Sequence, residues 1–195
     1  MYVCENYLPD YSKAIEREGL QNVSAEGFPC LCSYRLASVQ VKERLVQMAG
    51  RGMDCVIFCG RFCAVLGLLP GSPNIKAIPL DYCFSHLATP SMIQTFLDEG
   101  GYVIGSGWLN DWEVRLRELG FDQKTARAFY REACKKLVYI DTGIDPVANE
   151  KLTRLSEYLA IPAVRIPYDL EGLRAFIKGF YVEWCRSWCL YHFDA

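Results

Sequence analysis

The segment DCVIFCGRFCAVLGLLPGSPNIKAIPLDYC (residues 54–83) decides the fold. Its pattern predicts a buried strand over Met53–Cys59, a glycine turn, a short apolar helix and a second strand over Ile75–Leu80. Each of these two strands is followed by cysteines: Cys59 and Cys63 after the first, and Cys83 after the second. The segment therefore predicts a strand–helix–strand unit with thiols where its strands end.

The same alternation of short apolar runs and longer amphipathic runs extends through the rest of the chain. Strands joined by helices need crossover connections, and these favour a mostly parallel sheet. We therefore predict an α/β fold of the Rossmann-like kind, with three layers and helices on both faces of the sheet. The α/β domain is expected to cover residues 1–170, with two pseudo-similar lobes at about 1–100 and 101–170. A C-terminal amphipathic helix is expected over residues 171–195.

Composition and charge exclude several classes of protein. The 195 residues carry a net charge of −2, and lysine and arginine are scattered, so we expect no nucleic-acid partner. No apolar run reaches the roughly 18 residues of a membrane span. The first residues lack a basic segment followed by an apolar one, so we expect a cytoplasmic protein without a signal peptide. In that reducing compartment, the ten cysteines are expected to be metal ligands, redox centres or core residues, not disulfides.

Six cysteines lie where predicted strands end, and this shared position sets them apart. In parallel sheets the strands finish at one edge, and ligands bind beyond that edge. Thiolates bind soft metals, and four of them satisfy Zn²⁺ or an iron–sulfur cluster. The alternative is a set of independent cysteines near a buried edge. The six are Cys4, Cys30, Cys32, Cys59, Cys63 and Cys83.

The remaining four cysteines are better explained by packing. Cys55 lies in the middle of a predicted buried strand, where a small apolar side chain is expected. Cys134 lies in a predicted helix beside two lysines. Cys185 and Cys189 are one helical turn apart on the last helix, and no further ligand is near them in sequence.

Several longer motifs resemble a known family. They are CENYLPDYSKAI, FPCLC, CGRFCAVLGL, LDYCFSHL, GGYVIGSGWLNDWEVRLRELGFD and KKLVYIDTGIDP. The chain resembles an uncharacterised, cysteine-containing domain-of-unknown-function family, which occurs as stand-alone bacterial and archaeal proteins and as the N-terminal sensory domain of some histidine kinases. One departure is Gly105-Ser106-Gly107-Trp108-Leu109, where relatives carry Thr-Pro-Gly-Trp-Leu. The departure weakens any role for the backbone at Ser106.

The resemblance also selects among the cysteines. The kinase-linked members carry cysteines that match four positions of this chain: Cys4, Cys32, Cys63 and Cys83. It implies that these four are the ligands and that Cys30 and Cys59 are their neighbours. Cys30, Cys59 and His86 remain secondary candidates, since His86 follows Cys83 by three residues and imidazole can replace a thiolate.

The expected function follows from this site. The chain offers an ample core, so a metal here would be functional and not required for folding. Aromatic and aliphatic neighbours suit a [4Fe–4S] cluster in a sensory or redox role, which makes a sensor or electron-transfer protein a better expectation than a catalyst. One alternative is a zinc–thiolate protein associated with corrinoid or methyl-transfer chemistry. Another is a small-ligand binding module without a metal.

Three other motifs have structural explanations. Asp141-Thr142-Gly143 resembles half of an aspartic protease site, but a helix follows it, and a strand-to-helix turn explains it better. Gly105-Ser106-Gly107 is a weak phosphate-loop signal because the P-loop lysine is absent. Trp108 and Trp112 could wall a flat corrinoid-like ligand, although core packing is more usual for such a pair.

The last helix carries a long apolar stripe. Leu173, Ile177, Phe180, Trp184 and Trp188 recur at nearly heptad spacing. The stripe predicts either packing on the sheet or a homodimer through this helix. In a kinase-fused relative, the helix would lead to the transmitter, so a histidine kinase or a redox protein is an expected partner.

Overall fold

A computed structural model describes residues 1–31 and 37–192, with side chains up to residue 185. Its strands form two sheets, and every strand pair in both is parallel. The first sheet has the order β2-β1-β3-β4. Its strands are β1 (Tyr2–Cys4), β2 (Glu26–Phe28), β3 (Cys55–Gly60) and β4 (Ile75–Leu80). The second has the order β5-β6-β7, with β5 (Gly101–Ile104), β6 (Lys136–Asp141) and β7 (Ala163–Pro167).

Helices connect the strands, as the sequence predicts. In the first half they are α1 (Leu8–Glu18), α2 (Ser38–Gly50), a 3-10 helix (Ala64–Leu68) and α3 (Pro90–Asp98). In the second half they are α4 (Ser106–Asn110), α5 (Trp112–Glu118), α6 (Gln123–Ala133), α7 (Ala148–Leu159) and α8 (Glu171–His192). The α/β class, the parallel strands and the long final helix are thus confirmed.

Local sequence signals explain where several helices begin. The Thr89 hydroxyl accepts a hydrogen bond from the Met92 amide, and the Asp122 carboxylate accepts one from the Thr125 amide. Each side chain satisfies an amide that a helix start leaves without a partner. Before α8, Asp169 likewise accepts a hydrogen bond from the Glu171 amide.

The order of the first sheet contains a reversal of direction. The chain passes from β1 outward to β2 and then returns across β1 to form β3. Because such crossovers are right-handed, α1 and α2 fall on opposite faces of the sheet. The connections that leave the carboxyl ends of β1 and β3 therefore run in opposite directions. The crevice between these two strand ends is a topological switch point, where open α/β sheets bind their ligands.

The two sheets meet through a close backbone contact near this switch point. The Gly107 amide donates to the Asn6 carbonyl over 3.0 Å. A Cβ atom at Gly107 would lie 2.0 Å from the Glu5 carbonyl oxygen, a distance that no side chain tolerates. The loop after β1 therefore packs directly on the turn after β5.

Most of the apolar stripe of α8 packs against the core of its own chain. Leu173 and Ile177 are buried in the core of the first sheet, and Phe180 and Trp184 pack against that core. Packing on the sheet thus accounts for the stripe as far as Trp184, while the side chain of Trp188 lies outside the described residues. Among the helices of the described ranges, none is both long and apolar enough to cross a bilayer.

Candidate functional site

The carboxyl edge of the first sheet brings together five predicted cysteines. Cys4 is the last residue of β1, and Cys30 follows β2 by two residues. Cys59 is the next-to-last residue of β3, Cys63 precedes the 3-10 helix, and Cys83 follows β4. All strands of this sheet are parallel, so these five positions share one edge and bracket the switch point between β1 and β3.

The thiols of Cys4 and Cys30 form one contacting pair, and both are buried. The pKa of Cys4 is raised well above its ordinary value, first by the hydrogen bond with the Cys30 thiol and then by burial. The Asn6 side-chain amide donates to the Cys30 sulfur over 3.3 Å. This pair is therefore held by a donor from the loop that follows β1.

Cys59 and Cys63 form a second contacting pair. The Cys63 amide donates to the Gly60 carbonyl over 2.8 Å, and this tight turn returns Cys63 to the end of β3. The Cys59 thiol donates to the Cys63 sulfur and lowers the pKa of Cys63 to about 7, although burial opposes the shift. The pKa of Cys59 is raised by the same hydrogen bond. The pair thus favours a thiolate on Cys63.

Cys83 lies against both pairs. A hydrogen bond of 3.5 Å joins its sulfur to the phenol of the fully buried Tyr7. Burial raises the pKa of the Cys83 thiol, and the neighbouring Cys30 and Cys63 thiols raise it further. The loop after β4 approaches β3 closely, since a Cβ atom at Gly60 would lie 3.1 Å from the Cys83 nitrogen.

These contacts converge on the switch point, with sulfur as the dominant donor atom. Three of the four ligands that the resemblance implies are described there: Cys4, Cys63 and Cys83. The fourth, Cys32, lies outside the described residues. Within residues 1–31 and 37–185, no group of three or more Cys, His, Asp or Glu side chains has an arrangement that could hold a metal ion.

His86 lies beside Tyr7 and Tyr11 and is partly buried. Its ring packs edge-on against Tyr11, with centroids 4.9 Å apart, and against Tyr7 at 6.0 Å, and it stacks on Phe176 of α8. Both ring nitrogens are buried and have no hydrogen-bond partner among the described residues. Burial lowers the pKa of His86 to about 3, so the imidazole is neutral.

The carboxyl edge of the second sheet carries oxygen groups. Asp10 of α1 is fully buried there, and its Oδ1 accepts from the Thr142 hydroxyl at 2.5 Å and the Ser106 hydroxyl at 3.0 Å. Burial raises the pKa of Asp10 to about 6, and the two hydroxyl bonds oppose the shift. The contact of Ser106 with Asp10 is thus made by its side-chain hydroxyl and not by its backbone.

The Asp141-Thr142-Gly143 motif forms the turn that the sequence predicts. The Asp141 Oδ1 accepts a hydrogen bond from the Gly143 amide, and its Oδ2 pairs with Arg165 of β7. Both carboxylate oxygens of Asp141 are therefore engaged in structural contacts.

The remaining candidate residues lie in cores or outside the described part. Cys55 is buried at the start of β3, at the far end of the strand from the thiol pairs, and Cys134 is buried after α6. Cys185 is a free, partly buried thiol on α8, and the Cys189 side chain is not described. Trp108 and Trp112 are buried in the core of the second sheet.

Sequence reasoning missed Asn6 and Tyr7 at the thiol edge and Asp10 at the edge of the second sheet. All three lie in CENYLPDY, which follows β1 directly. A polar or aromatic residue just after a strand that borders the switch point is the signal that could have found them. Their partners are 24 to 132 positions away in sequence, so their specific contacts were not readable from the pattern.

Comparison with known proteins adds no family to this description. No family model, curated protein or solved structure matches the chain.

Proposed function

We propose that the chain is a metal–thiolate protein with a sensory or redox role, and that a [4Fe–4S] cluster is the metal centre. The centre would lie at the carboxyl edge of the first sheet, between the ends of β1 and β3. The residues proposed as ligands are Cys4, Cys32, Cys63 and Cys83. The proposal requires reduced thiols and therefore a reducing compartment such as the cytoplasm.

The observation that carries the proposal is the convergence of distant thiols on one switch point. Cys4, Cys63 and Cys83 come from three different strand ends, and Cys30 and Cys59 contact two of them. Sulfur is the donor that iron–sulfur clusters and other thiophilic metals require. The donor chemistry therefore suits a soft metal, but the described thiols are not arranged around one, so binding would require Cys32 and a rearrangement of this edge.

The neighbouring donors support a redox role. The Asn6 amide and the Tyr7 hydroxyl both reach sulfur atoms of this edge. Hydrogen bonds to sulfur, together with burial, are the main means by which a protein sets the potential of a cluster. Cys30 and Cys59 would act as hydrogen-bonding neighbours of the ligands, and His86 would form part of the wall behind them.

The aromatic contacts of α8 support a sensory role. Phe176 of α8 packs on Phe58 of β3 with centroids 5.0 Å apart, and it also stacks on His86. A change at the thiol edge would reach the final helix through the contacts of Phe176 with Phe58 and His86. This helix is also where we propose a homodimer contact or a contact with a histidine kinase or redox partner.

The test of the metal centre is metal analysis and visible absorption of protein purified without oxygen. We expect iron and inorganic sulfide in a ratio near four of each per chain, with the broad visible absorption of a cluster. Colourless protein with one zinc per chain would instead support the zinc–thiolate alternative. Protein that holds neither metal after anaerobic reconstitution would refute the proposal and leave the metal-free binding module.

Matched variants locate the centre. Serine at Cys4, Cys32, Cys63 or Cys83 should abolish or strongly reduce the metal content. Cys55→Ser and Cys134→Ser replace buried thiols away from the edge and should retain it. Equal retention in all six variants would place the metal elsewhere.

The dimer has its own test, light scattering during size-exclusion chromatography over a range of concentrations. We expect a dimer that Trp184→Ala weakens. Because Trp184 also packs on the core of its own chain, the variant must show the wild-type circular dichroism spectrum. A monomer at all concentrations would refute the dimer and leave the metal proposal intact.

A further inference from the structure

The Cys59–Cys63 pair has a geometry that metal binding alone does not explain. Two thiols four residues apart are in hydrogen-bond contact, because the turn closed by the Cys63 amide and the Gly60 carbonyl returns the second to the first. Cys59 is almost completely buried, whereas Cys63 is partly exposed. Phe62, the residue immediately before Cys63, is 92% exposed, so this turn lies at the protein surface.

We propose that Cys59 and Cys63 form a redox-active dithiol, which a hydroperoxide converts to a disulfide in the metal-free protein. The disulfide would withdraw Cys63 from the ligand set and so prevent metal loading under oxidising conditions. Only this last consequence rests on the proposed function. The oxidation itself requires the two thiols and the peroxide alone.

The chemistry proceeds in two balanced steps. The Cys63 thiolate attacks one oxygen of hydrogen peroxide, so an S–O bond forms, the O–O bond breaks and hydroxide leaves. The Cys59 sulfur then attacks the sulfenic sulfur of Cys63, so the S–S bond forms and the S–O bond breaks. The departing oxygen takes the Cys59 proton and leaves as water. Two thiols lose two electrons in total, and one peroxide gains them.

The structure places each participant of these steps. Cys63 is the more accessible sulfur of the pair, and the turn closed by its amide and the Gly60 carbonyl holds it next to Cys59. Cys59 is the resolving thiol, since it is already in contact and shielded from other reactants. Susceptibility to peroxide follows thiolate character and exposure, and a nearby resolving thiol is typical of such sites.

The chain contains its own control for this reaction. Cys4 and Cys30 are also in hydrogen-bond contact, but both are buried. If contact alone were sufficient, peroxide would oxidise both pairs at similar rates. If accessibility of the attacking thiol decides, Cys59–Cys63 should react well before Cys4–Cys30.

The experiment uses the full chain, freed of metal by a chelator under nitrogen and treated with stoichiometric hydrogen peroxide. Remaining thiols are alkylated, and tryptic peptides are mapped without reduction. Trypsin cuts after Arg61, which separates Cys59 in peptide 52–61 from Cys63 in peptide 62–76. Peptide 52–61 also contains Cys55, so a Cys55→Ser variant assigns the bond.

We expect a cross-link between these two peptides in the wild type and in Cys55→Ser, with Cys4 and Cys30 still alkylated. The cross-link should be absent in Cys63→Ser and Cys59→Ser. Cys59 is buried, so Cys59→Ser could fail to fold. Cys63 is only half-buried, so Cys63→Ser should fold and keeps the test valid in that case. Oxidation of Cys63 to a sulfinic acid, a bond to another cysteine, or equal oxidation of both pairs would overturn the proposal.

Metal uptake separates this inference from the proposed function. Cross-linked protein should take up less than a tenth of the iron or zinc that the reduced protein binds, and a thiol reductant should restore uptake. If the reduced protein binds no metal but the cross-link forms, the dithiol stands and the metal proposal fails. If cross-linked protein binds metal normally, the regulatory part of the inference is wrong.

Discussion

The carboxyl edges of the two sheets are built alike but differ in chemistry. At the first edge, the groups are thiols, and their hydrogen bonds are to other thiols, to the Asn6 amide and to the Tyr7 phenol. At the second edge, the groups are carboxylates and hydroxyls, and Asp141 uses both of its oxygens in contacts to Gly143 and Arg165. Sulfur forms weak hydrogen bonds and keeps its affinity for soft metals, whereas oxygen groups bind each other strongly.

The comparison teaches that position at strand ends is not sufficient to define a site. Asp141 lies at the end of β6 as the cysteines lie at their strand ends, yet its carboxylate pairs with Arg165 within the second sheet. Asp10 of α1 reaches the same edge, and its contacts to Ser106 and Thr142 hold the two sheets together. The thiols are instead held by hydrogen bonds to sulfur, which are weak. The contacts of the second edge are therefore structural, and our proposal of a bound metal concerns the first edge alone.

The largest effect is expected where the two edges touch. In Gly107→Ala, the new Cβ atom would lie 2.0 Å from the Glu5 carbonyl, and both are backbone positions that cannot move aside locally. We expect a loss of about 4 kcal/mol or more in the free energy of unfolding, measured by urea denaturation of the metal-free protein.

Gly50→Ala is the matched control for this substitution. Gly50 ends α2, and a Cβ atom there would meet no atom within 4 Å. Alanine in a helix should change stability by less than about 1 kcal/mol, in the stabilising direction. Wild-type stability of Gly107→Ala would contradict the close contact between the loop after β1 and the turn after β5.

A smaller effect is expected at the oxygen edge, as a dependence of stability on pH. The pKa of Asp10 is raised from 3.8 to about 6 by burial, so the folded protein holds the proton more tightly than the unfolded chain. The stability that this proton contributes is fully present below the pKa of Asp10 in the unfolded chain, 3.8. It is lost as pH rises through the pKa of Asp10 in the folded protein, about 6. Between about pH 4.5 and pH 7, we expect the wild type to lose about 2 kcal/mol of stability from this group.

Asp10→Asn isolates that contribution, because the amide does not titrate. The difference in unfolding free energy between wild type and variant, measured by urea denaturation across this range, should follow one titration with the sign given above. A difference that is independent of pH would show that Asp10 is ionised in the folded protein throughout, and the oxygen edge would then carry a buried charge.

The fold was readable from sequence because its signals are local. Apolar runs mark the strands, Thr89 and Asp122 mark helix starts, and alternation of strands with helices implies parallel pairing. The position of cysteines at strand ends followed from the same pattern. Sequence reasoning could not give the two thiol pairings or the Tyr7–Cys83 contact, since these depend on strand order and loop paths. The division of strands into two sheets was anticipated only as two lobes.

The smallest effect is expected at the thiol edge, where two buried tyrosines allow a direct comparison. The Tyr7 hydroxyl is hydrogen-bonded to the Cys83 sulfur, whereas the buried Tyr11 hydroxyl has no partner in the described part of the chain. Tyr7→Phe should therefore cost about 1 kcal/mol, and Tyr11→Phe should be neutral or stabilising by a similar amount, because it removes a buried polar group that is not paired.

The Cys83 thiol provides a second measurement that a purely structural role of Tyr7 would not change. The phenol lowers the pKa of Cys83 against the larger effect of burial, so Tyr7→Phe should raise that pKa and slow alkylation of Cys83 at mildly alkaline pH in the metal-free protein. Tyr11→Phe should leave the alkylation rate unchanged. If both variants alkylate at the wild-type rate, the phenol does not act on the sulfur. The thiol edge would then lose one of the two side-chain donors that distinguish it from a set of independent buried cysteines.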